Sequence, residues 1–282
     1  MRTYLDILKK IMDEGVDRQG RNGMTRGVFT QQMRFKMSEG FPATTTKKLA
    51  FRSVAAELFW FMSGYSDNNE LMRLGCKIWE QNAHADYWKP KAKFEGDLGR
   101  VYGVQWRTWE KPDGTFVDQL SDVIERIKKD PNDRRLIVSA WNPGELEEMA
   151  LPPCHMIFQF YPANGKLSLH MFQRSCDMFL GVPFNIASYG LLLEIVAQMT
   201  NLVADELILT LGDAHIYHTH FDAVKEQLSR EPKKLPNLWI NPSIKTLEDI
   251  DTKKLLEPND IYKLVRLEDY NPEEAIKAPM SV

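Results

Sequence analysis

Helix-like and strand-like segments follow one another along this chain without a regular alternation, which limits the folds that it can adopt. Apolar spacing predicts helices over 4–12, 49–62, 116–129, 185–200 and 217–228, and strands over 135–140, 156–161, 166–172 and 206–211. Residues 162–165 have the composition of a hairpin turn between two of these strands. Because repeated strand–helix–strand units would favour a parallel α/β sheet, their absence from the pattern predicts an α+β fold.

No internal repeat, low-complexity segment or linker divides the 282 residues. A chain of this length with 43% hydrophobic residues can form one large core or two modest ones. The absence of a linker predicts that residues 1–282 form a single domain.

Charge and cysteine content exclude several classes of protein. The net charge of −3 shows no basic excess, so nucleic acid is not expected as the main partner. No apolar run reaches the roughly 18 to 20 residues that span a bilayer, and the N-terminal residues have no signal-peptide core, so we expect no membrane association and a cytoplasmic location. Three cysteines at unrelated spacings argue against a disulfide framework and leave at least one thiol for chemistry.

Cys154 is the candidate nucleophile. It follows a proline-stiffened turn and precedes a histidine in the segment Leu151-Pro152-Pro153-Cys154-His155. A thiol attacks as the thiolate, and nearby cations lower its pKa. A buried, inert cysteine is the competing interpretation, and this segment alone leaves both open.

Arginines near this thiol indicate an anionic substrate. Arg174 and Ser175 follow a predicted strand, Arg134 and Arg135 precede one, and Arg21 lies in a glycine-containing loop. Guanidinium groups together with a hydroxyl are suited to binding a phosphomonoester. Solvated surface arginines are the alternative for the 134–135 pair.

Three further side chains have both a structural and a functional interpretation. Asn185 is either a helix N-cap or an amide that reads a pyrimidine edge. Glu57 lies among apolar residues, so its carboxyl needs partners or a raised pKa, and it is an acid/base candidate. Trp79 is either a core residue or an aromatic wall for a flat cofactor.

The segment 212–220 contains His215, His218 and His220, which raises the hypothesis of a metal-dependent nucleotide hydrolase. The alternative is that His215 and Tyr217 form hydrogen bonds from one face of an extended segment. A non-catalytic nucleotide-binding regulator is a third hypothesis.

Together, these segments resemble thymidylate synthase from end to end. The resemblance includes Leu151-Pro152-Pro153-Cys154-His155 and the segments 40–48, 57–61, 96–107, 133–142, 173–189, 212–217 and 277–282. It implies a large mixed sheet flanked by helices and a homodimer formed through that sheet. It also implies that Cys154 adds to C6 of dUMP and that C5 then captures the methylene of 5,10-methylenetetrahydrofolate. Reduction by the folate gives dTMP and dihydrofolate, without metal or nicotinamide.

The resemblance also assigns roles to particular residues. The phosphate is expected to be held by Arg21, Arg174 and Ser175, and by Arg134 and Arg135 from the partner subunit. The nucleoside is expected to contact Asn185, which would select uracil, and His215 and Tyr217, which would bond the 3′-hydroxyl. The folate is expected to contact Ile78, Trp79, Asp177, Gly181, Phe184 and Val282. Proton transfer is expected to involve Glu57, Tyr102 and His155, with Asn185 and Asp177 also catalytic.

The chain departs from the family pattern at three places. The loop 20–26 is one residue shorter than usual and offers Arg26 as a rival to Arg21, Arg100 stands where proline is common, and Ser281 replaces an alanine. A related activity therefore stays open, in which water quenches the methylene intermediate to give 5-hydroxymethyl-dUMP and tetrahydrofolate.

Overall fold

A mixed six-stranded sheet is the centre of the structure, a computed structural model that describes residues 1–280. The strands are β1 (Val16–Gly20), β2 (Gly23–Lys36), β3 (Trp109–Glu110), β4 (Phe116–Val117), β5 (Ile137–Ser139), β6 (His155–Ala163), β7 (Lys166–Asp177), β8 (Val203–Tyr217), β9 (Asn237–Ile240) and β10 (Val265–Glu268). The helices are α1 (Arg2–Glu14), α2 (Phe51–Met62), α3 (Asn68–Arg73), α4 (Glu80–Ala83), α5 (Tyr102–Arg107), α6 (Gln119–Lys129), α7 (Gly181–Met199), α8 (Phe221–Leu228) and α9 (Ile261–Leu264).

The sheet has the strand order β1-β2-β8-β7-β6-β5. Strands β7 and β8 are parallel, and the other neighbours are antiparallel. Helix α7 makes the crossover between the parallel pair, as parallel strands require. The predicted α+β domain with a large mixed sheet and flanking helices is therefore confirmed.

Helices cover one face of this sheet and leave the other open. Along β2, Met33 and Phe35 are buried while Arg34 is exposed, and along β6, Phe158 is buried while Tyr161 is 67% exposed. This alternation follows from the two-residue period of a strand. The open face includes apolar side chains.

Helix α7 lies in the core and is apolar on all sides. Within residues 1–280 it is the one helix with the length and hydropathy of a membrane span, and 78% of that window is buried inside the domain. A central helix of a folded core has the same character.

Three strands of the sheet have local irregularities. The register of β6 shifts between His155 and Ile157, and Thr30 of β2 has a φ of 61°. A Cβ on Gly212 of β8 would lie 2.9 Å from the carbonyl oxygen of Arg174. Glycine therefore permits close approach of β7 and β8 there.

Most predicted elements are present, with shifted ends. The hairpin turn at Asn164-Gly165, where both residues have positive φ, joins β6 to β7 as predicted. The helix predicted from residue 116 begins at Gln119, because Asp118 caps it and the two residues before Asp118 pair as β4. Tyr217 ends β8 instead of beginning a helix.

Candidate active site

Cys154 lies at the N-terminal end of β6 and is half-buried. Its backbone N–H donates to the Tyr102 hydroxyl at 2.7 Å, and its carbonyl accepts from the Arg174 N–H at 2.8 Å. These bonds fix the turn that follows the two prolines. The candidate nucleophile is thus held by its backbone between α5 and β7.

Arg174 supports the same turn with its side chain. Its Nε donates to the Pro153 carbonyl at 2.8 Å and its Nη2 to the Pro152 carbonyl at 3.0 Å, while Trp141 lies under the guanidinium at 5.3 Å. The group therefore positions the cysteine loop and keeps hydrogen atoms on Nη1 and Nη2 for an anion.

Burial raises the pKa of the Cys154 thiol, although the Arg174 charge and a hydrogen bond with Tyr102 act in the opposite direction. The sequence led us to expect cations to lower this pKa. Arg174 does lower it, but removal of the thiolate from water outweighs the attraction of this guanidinium, so the net direction is upward.

The ends of β7 and β8 bring four predicted site residues together. Ser175 pairs with Asp213, and Asp177 pairs with His215. The His215 Nδ1 lies 3.2 Å from both the backbone oxygen and Oδ1 of Asp213, so it carries a hydrogen and leaves Nε2 as an acceptor in the neutral ring. Tyr217 follows two residues later, as the extended segment requires.

Asp177 is partly committed within its own chain. Its Oδ1 accepts from the N–H groups of Phe179 and Leu180 at 3.0 and 3.1 Å, immediately before α7. Burial raises the pKa of Tyr217, and the charge of Asp177 acts in the same direction. The Asp177 carboxylate therefore lies near enough to Tyr217 to disfavour its ionisation.

Asn185 lies in the second turn of α7, which begins at Gly181. The N-cap interpretation of Asn185 is therefore wrong. Its Oδ1 accepts from Nε2 of Gln173 at 3.1 Å, and Gln173 is buried on β7. Because Oδ1 accepts this bond, the orientation of the amide is assigned and the NH₂ group of Asn185 points away from Gln173.

Aromatic residues enclose the far side of the cysteine. The His155 ring stacks on Tyr102 with centroids 4.1 Å apart, and its Nδ1 lies 2.8 Å from the Tyr189 hydroxyl. Burial lowers the pKa of His155 to about 3, so the ring is neutral. Burial also raises the pKa of Tyr102 and Tyr189 well above 10, so both keep their hydroxyl hydrogens.

Glu57 is buried in α2 and accepts a 2.7 Å hydrogen bond from the Trp79 indole. Burial raises its pKa to about 7, and the bond from Trp79 opposes this only in part. A carboxyl with this pKa exchanges protons near neutral pH, as an acid/base group requires. Trp79 is both a buried core residue and the partner of this carboxyl.

Arg21 and its rival Arg26 have different surroundings. Arg26 forms a two-point ion pair with Asp17, at 2.7 and 3.0 Å, and a third bond to the Met12 carbonyl. Arg21 lies in the two-residue turn between β1 and β2, exposed, with its guanidinium 5.9 Å from the Tyr87 ring. Arg26 is committed to local structure, which leaves Arg21 as the candidate phosphate ligand.

The paired arginines before β5 are exposed to solvent. Arg135 is 82% exposed in its side chain and contacts Asp133, and Arg134 is exposed. Within residues 1–280, no contact brings Arg134 or Arg135 to Cys154. Their predicted role across a dimer stays a prediction.

The three histidines of the metal hypothesis face different partners. His215 contacts Asp213, the His218 Nε2 lies 3.0 Å from Asp17, and the His220 Nε2 lies 2.7 Å from the Pro279 carbonyl. Across the part of the chain that the structure describes, no group of three His, Cys, Asp or Glu side chains is arranged for a metal ion. The hydrolase hypothesis therefore has no geometric support there.

The predicted folate residues fall at two edges of the cleft. Ile78 and Trp79 immediately precede α4, whereas Gly181 and Phe184 lie in the first turn of α7. The apolar side chains in the first three turns of α7 are buried or half-buried. Val282 lies outside the described residues.

Three contributing residues were missed by sequence reasoning. Gln173 orients Asn185, Tyr189 bonds His155, and Trp141 lies under Arg174. The spacing of four between Asn185 and Tyr189 is the usable signal, since it puts both on one face of α7.

The structure is an α+β domain in which Arg174 supports the Cys154 turn, β7 continues to Ser175 and Asp177, and the half-buried Asn185 amide bonds Gln173 of the same strand. A family model for thymidylate synthase matches residues 2–282. The chain belongs to the thymidylate synthase family, and it is therefore an enzyme with a transferase role in nucleotide biosynthesis.

Proposed function

We propose that this protein is a thymidylate synthase: it transfers the one-carbon unit of 5,10-methylenetetrahydrofolate to C5 of dUMP, and the folate reduces it, giving dTMP and dihydrofolate. The observation that carries the proposal is the position of Cys154 between Arg174 and Tyr102, beside the strand ends that hold Ser175 and Asp177.

The first step is the addition of the Cys154 sulfur to C6 of the uracil ring. This addition gives C5 the character of an enolate carbon, which attacks the methylene carbon of the folate. Burial already raises the pKa of the thiol, and the negative charge of a bound phosphate would raise it further. Additional cations are therefore needed to favour the thiolate. Loss of the C5 proton and cleavage of the bond between the methylene carbon and the folate nitrogen would leave an exocyclic methylene on the ring and tetrahydrofolate beside it. Hydride transfer from that tetrahydrofolate to the methylene carbon, with breakage of the C6–sulfur bond, would give dTMP, dihydrofolate and the free Cys154 thiolate.

The nucleotide is held from several elements. The hydrogens that remain on Arg174, with Arg21 and the Ser175 hydroxyl, suit the phosphate. The free Nε2 of His215 accepts from the deoxyribose 3′-hydroxyl, and the Tyr217 hydroxyl completes that contact. Asn185, oriented by Gln173, reads O4 and N3 of uracil.

Proton transfers around C5 and O4 depend on Glu57, Tyr102 and His155. Glu57, with a pKa of about 7, can hold a proton and release it at neutral pH. Neutral His155 orders the Tyr189 hydroxyl through its Nδ1 and packs against the Tyr102 ring. Asp177 is positioned to bond the pterin, while Ile78, Trp79, Gly181, Phe184 and Val282 exclude water from the electrophilic intermediate.

The active form is a homodimer that assembles through the open face of the sheet. Phe29 is 83% exposed on β2, Tyr161 is 67% exposed on β6, and Ile137 and Ile157 are partly exposed on neighbouring strands. A monomer rarely leaves such an apolar face to water, and a twofold axis would cover it with its own copy. Exposed Arg134 and Arg135 would then reach the partner's phosphate site. A cytoplasmic location fits this function.

The test is incubation of the protein with dUMP and 5,10-methylenetetrahydrofolate, followed by mass spectrometry of the nucleotide and absorbance of the folate product. We expect dTMP and dihydrofolate in equal amounts. A product of 5-hydroxymethyl-dUMP with tetrahydrofolate would overturn the proposal in favour of the related hydroxymethylase.

Two controls sharpen this test. Cys154→Ser must give no product, since serine cannot supply a comparable nucleophile, and its dUMP binding must survive. Chelator treatment must leave turnover unchanged, whereas loss of activity with chelator and retention in a Cys154→Ala variant would support a metal-dependent hydrolase.

A further inference from the structure

We infer that His220 is a positioning residue that anchors the C-terminal tail, residues 272–280, beside Asp177, the proposed ligand of the pterin. The inference rests on the proposed function. His220 ends the 3₁₀ turn His218–His220 that joins β8 to α8. It does not line the cleft opening, because its side chain is fully buried.

The first observation is a hydrogen bond to the tail. The His220 Nε2 lies 2.7 Å from the Pro279 carbonyl oxygen. Because a carbonyl only accepts, Nε2 carries the hydrogen. Ile276 and Ala278 of the same segment pack on the core, so the histidine bond fixes a tail that apolar contact alone would leave free to slide.

The second observation concerns the other ring nitrogen. Nδ1 is buried, makes no hydrogen bond within residues 1–280, and lies 4.0 Å from Oδ1 of Asp177. A buried polar atom without a partner is costly. Nδ1 lies beside the carboxylate of Asp177, the proposed ligand of the pterin. The same imidazole ring therefore bonds the tail through Nε2 and faces this carboxylate through Nδ1.

Ring contacts connect His220 to both halves of the cleft. Its centroid lies 5.5 Å from that of Phe179, two residues after Asp177, and 5.5 Å from that of Tyr217, the proposed sugar ligand. The imidazole therefore joins the tail, the carboxylate strand end and the nucleotide strand end in one packed unit. Movement of the tail would be transmitted to Asp177 through this ring.

The experiment uses two amide replacements that each mimic one ring nitrogen. His220→Gln can place an N–H near the position of Nε2, whereas His220→Asn reaches only the position of Nδ1. Hydrogen–deuterium exchange of residues 272–280 is measured without substrates, and KM for the folate, kcat and the dUMP dissociation constant are measured separately. His218→Asn is the matched control, since His218 contacts Asp17 instead of the tail.

We expect tail exchange to be up to about tenfold faster in His220→Asn, the effect of losing one hydrogen bond, and near the parent rate in His220→Gln. KM for the folate should rise by a similar factor in His220→Asn, with dUMP binding unchanged. Equal tail protection in His220→Asn and the parent, or equal loss in both variants, would overturn the inference.

A truncated variant removes dependence on the folding of the buried substitutions. Deleting residues 279–282 removes the acceptor without changing the core, and residues 272–278 should then exchange as fast as in His220→Asn. Unchanged protection would overturn the anchoring role. Because exchange is measured without substrate, an enzyme that makes no dTMP would overturn the proposed function and leave this result to stand alone.

Discussion

The ionisation of Glu57 should destabilise this fold at neutral pH, and Glu57→Gln should remove that cost. Burial raises the pKa of the folded carboxyl from its ordinary 4.5 to about 7. The folded state then binds the proton more tightly than the unfolded chain. Stability from the bound proton is complete below about pH 4.5 and is lost as pH rises through about 7.

The magnitude follows from this difference. Folded and unfolded pKa values differ by about 2.5, and each pKa unit corresponds to about 1.4 kcal/mol, so the ionised carboxylate costs about 3 kcal/mol at pH 8. At pH 5 the cost is about 1 kcal/mol, because the folded carboxyl is then protonated and pH 5 lies only about half a unit above the unfolded pKa. The free energy of unfolding of Glu57→Gln, relative to that of the parent, should therefore increase by about 2 kcal/mol from pH 5 to pH 8.

The assay is urea unfolding of the parent and Glu57→Gln at both pH values, with the protein concentration held constant, since oligomerisation shifts apparent stability. Comparing the two pH values cancels any change in packing, and the amide oxygen of the variant can still accept from the Trp79 indole. A stability difference that does not change with pH would refute the raised pKa. Activity should fall in the same variant, because the proton donor is lost.

Glu194 separates stability from chemistry. Burial raises its pKa to about 7 as well, but it lies nine residues beyond Asn185 along α7, about 14 Å by the helical rise. Glu194→Gln should show the same sign of pH dependence in urea unfolding, smaller because this side chain is only half-buried, without loss of turnover.

Four further outcomes are expected. Cys154→Ser should lose turnover and leave dUMP binding within about twofold of the parent, by isothermal titration. Asn185→Asp should admit dCMP, because a protonated carboxyl can donate to N3 of cytosine and accept from its N4 amino group. An unchanged preference for dUMP would contradict the assignment. Tyr102→Phe leaves the Cys154 N–H without its acceptor and should lower kcat about tenfold or more, with stacking on His155 retained. Removal of Val282 should reduce kcat more than nucleotide affinity, in steady-state kinetics.

The α+β class and most of its long elements could be predicted from apolar spacing, but the strands β1 to β4, β9 and β10 could not. Strand β1 is exposed at all five positions and has no apolar alternation, so only pairing with β2 makes it a strand. Strands β9 and β10 pair although a long stretch of chain separates them, and the signal of that contact is not local.

The chemistry of the site divides in the same way. The residue types of the cleft could be predicted, since a thiol, arginines and an amide in these patterns suit a phosphate-bearing pyrimidine. The ionisation of Cys154 could not, because it depends on how much water the assembled cleft removes. The helix start at Gly181 has no clear signal in the sequence either, and for this reason the interpretation of Asn185 as a cap is wrong.

The proposed phosphate site has few free donors in one chain, and this favours the proposed dimer. Arg174 already donates from Nε and Nη2 to two loop carbonyls, so only its remaining hydrogens are available to the phosphate. Arg21 lies at an exposed turn beside Tyr87. A dianion with so few free donors would be weakly held, whereas a second copy, placed against the open face of the sheet, would bring exposed Arg134 and Arg135 to it. The same cations would lower the pKa of Cys154, which burial raises in the single chain, so assembly would supply both the missing donors and the missing charge.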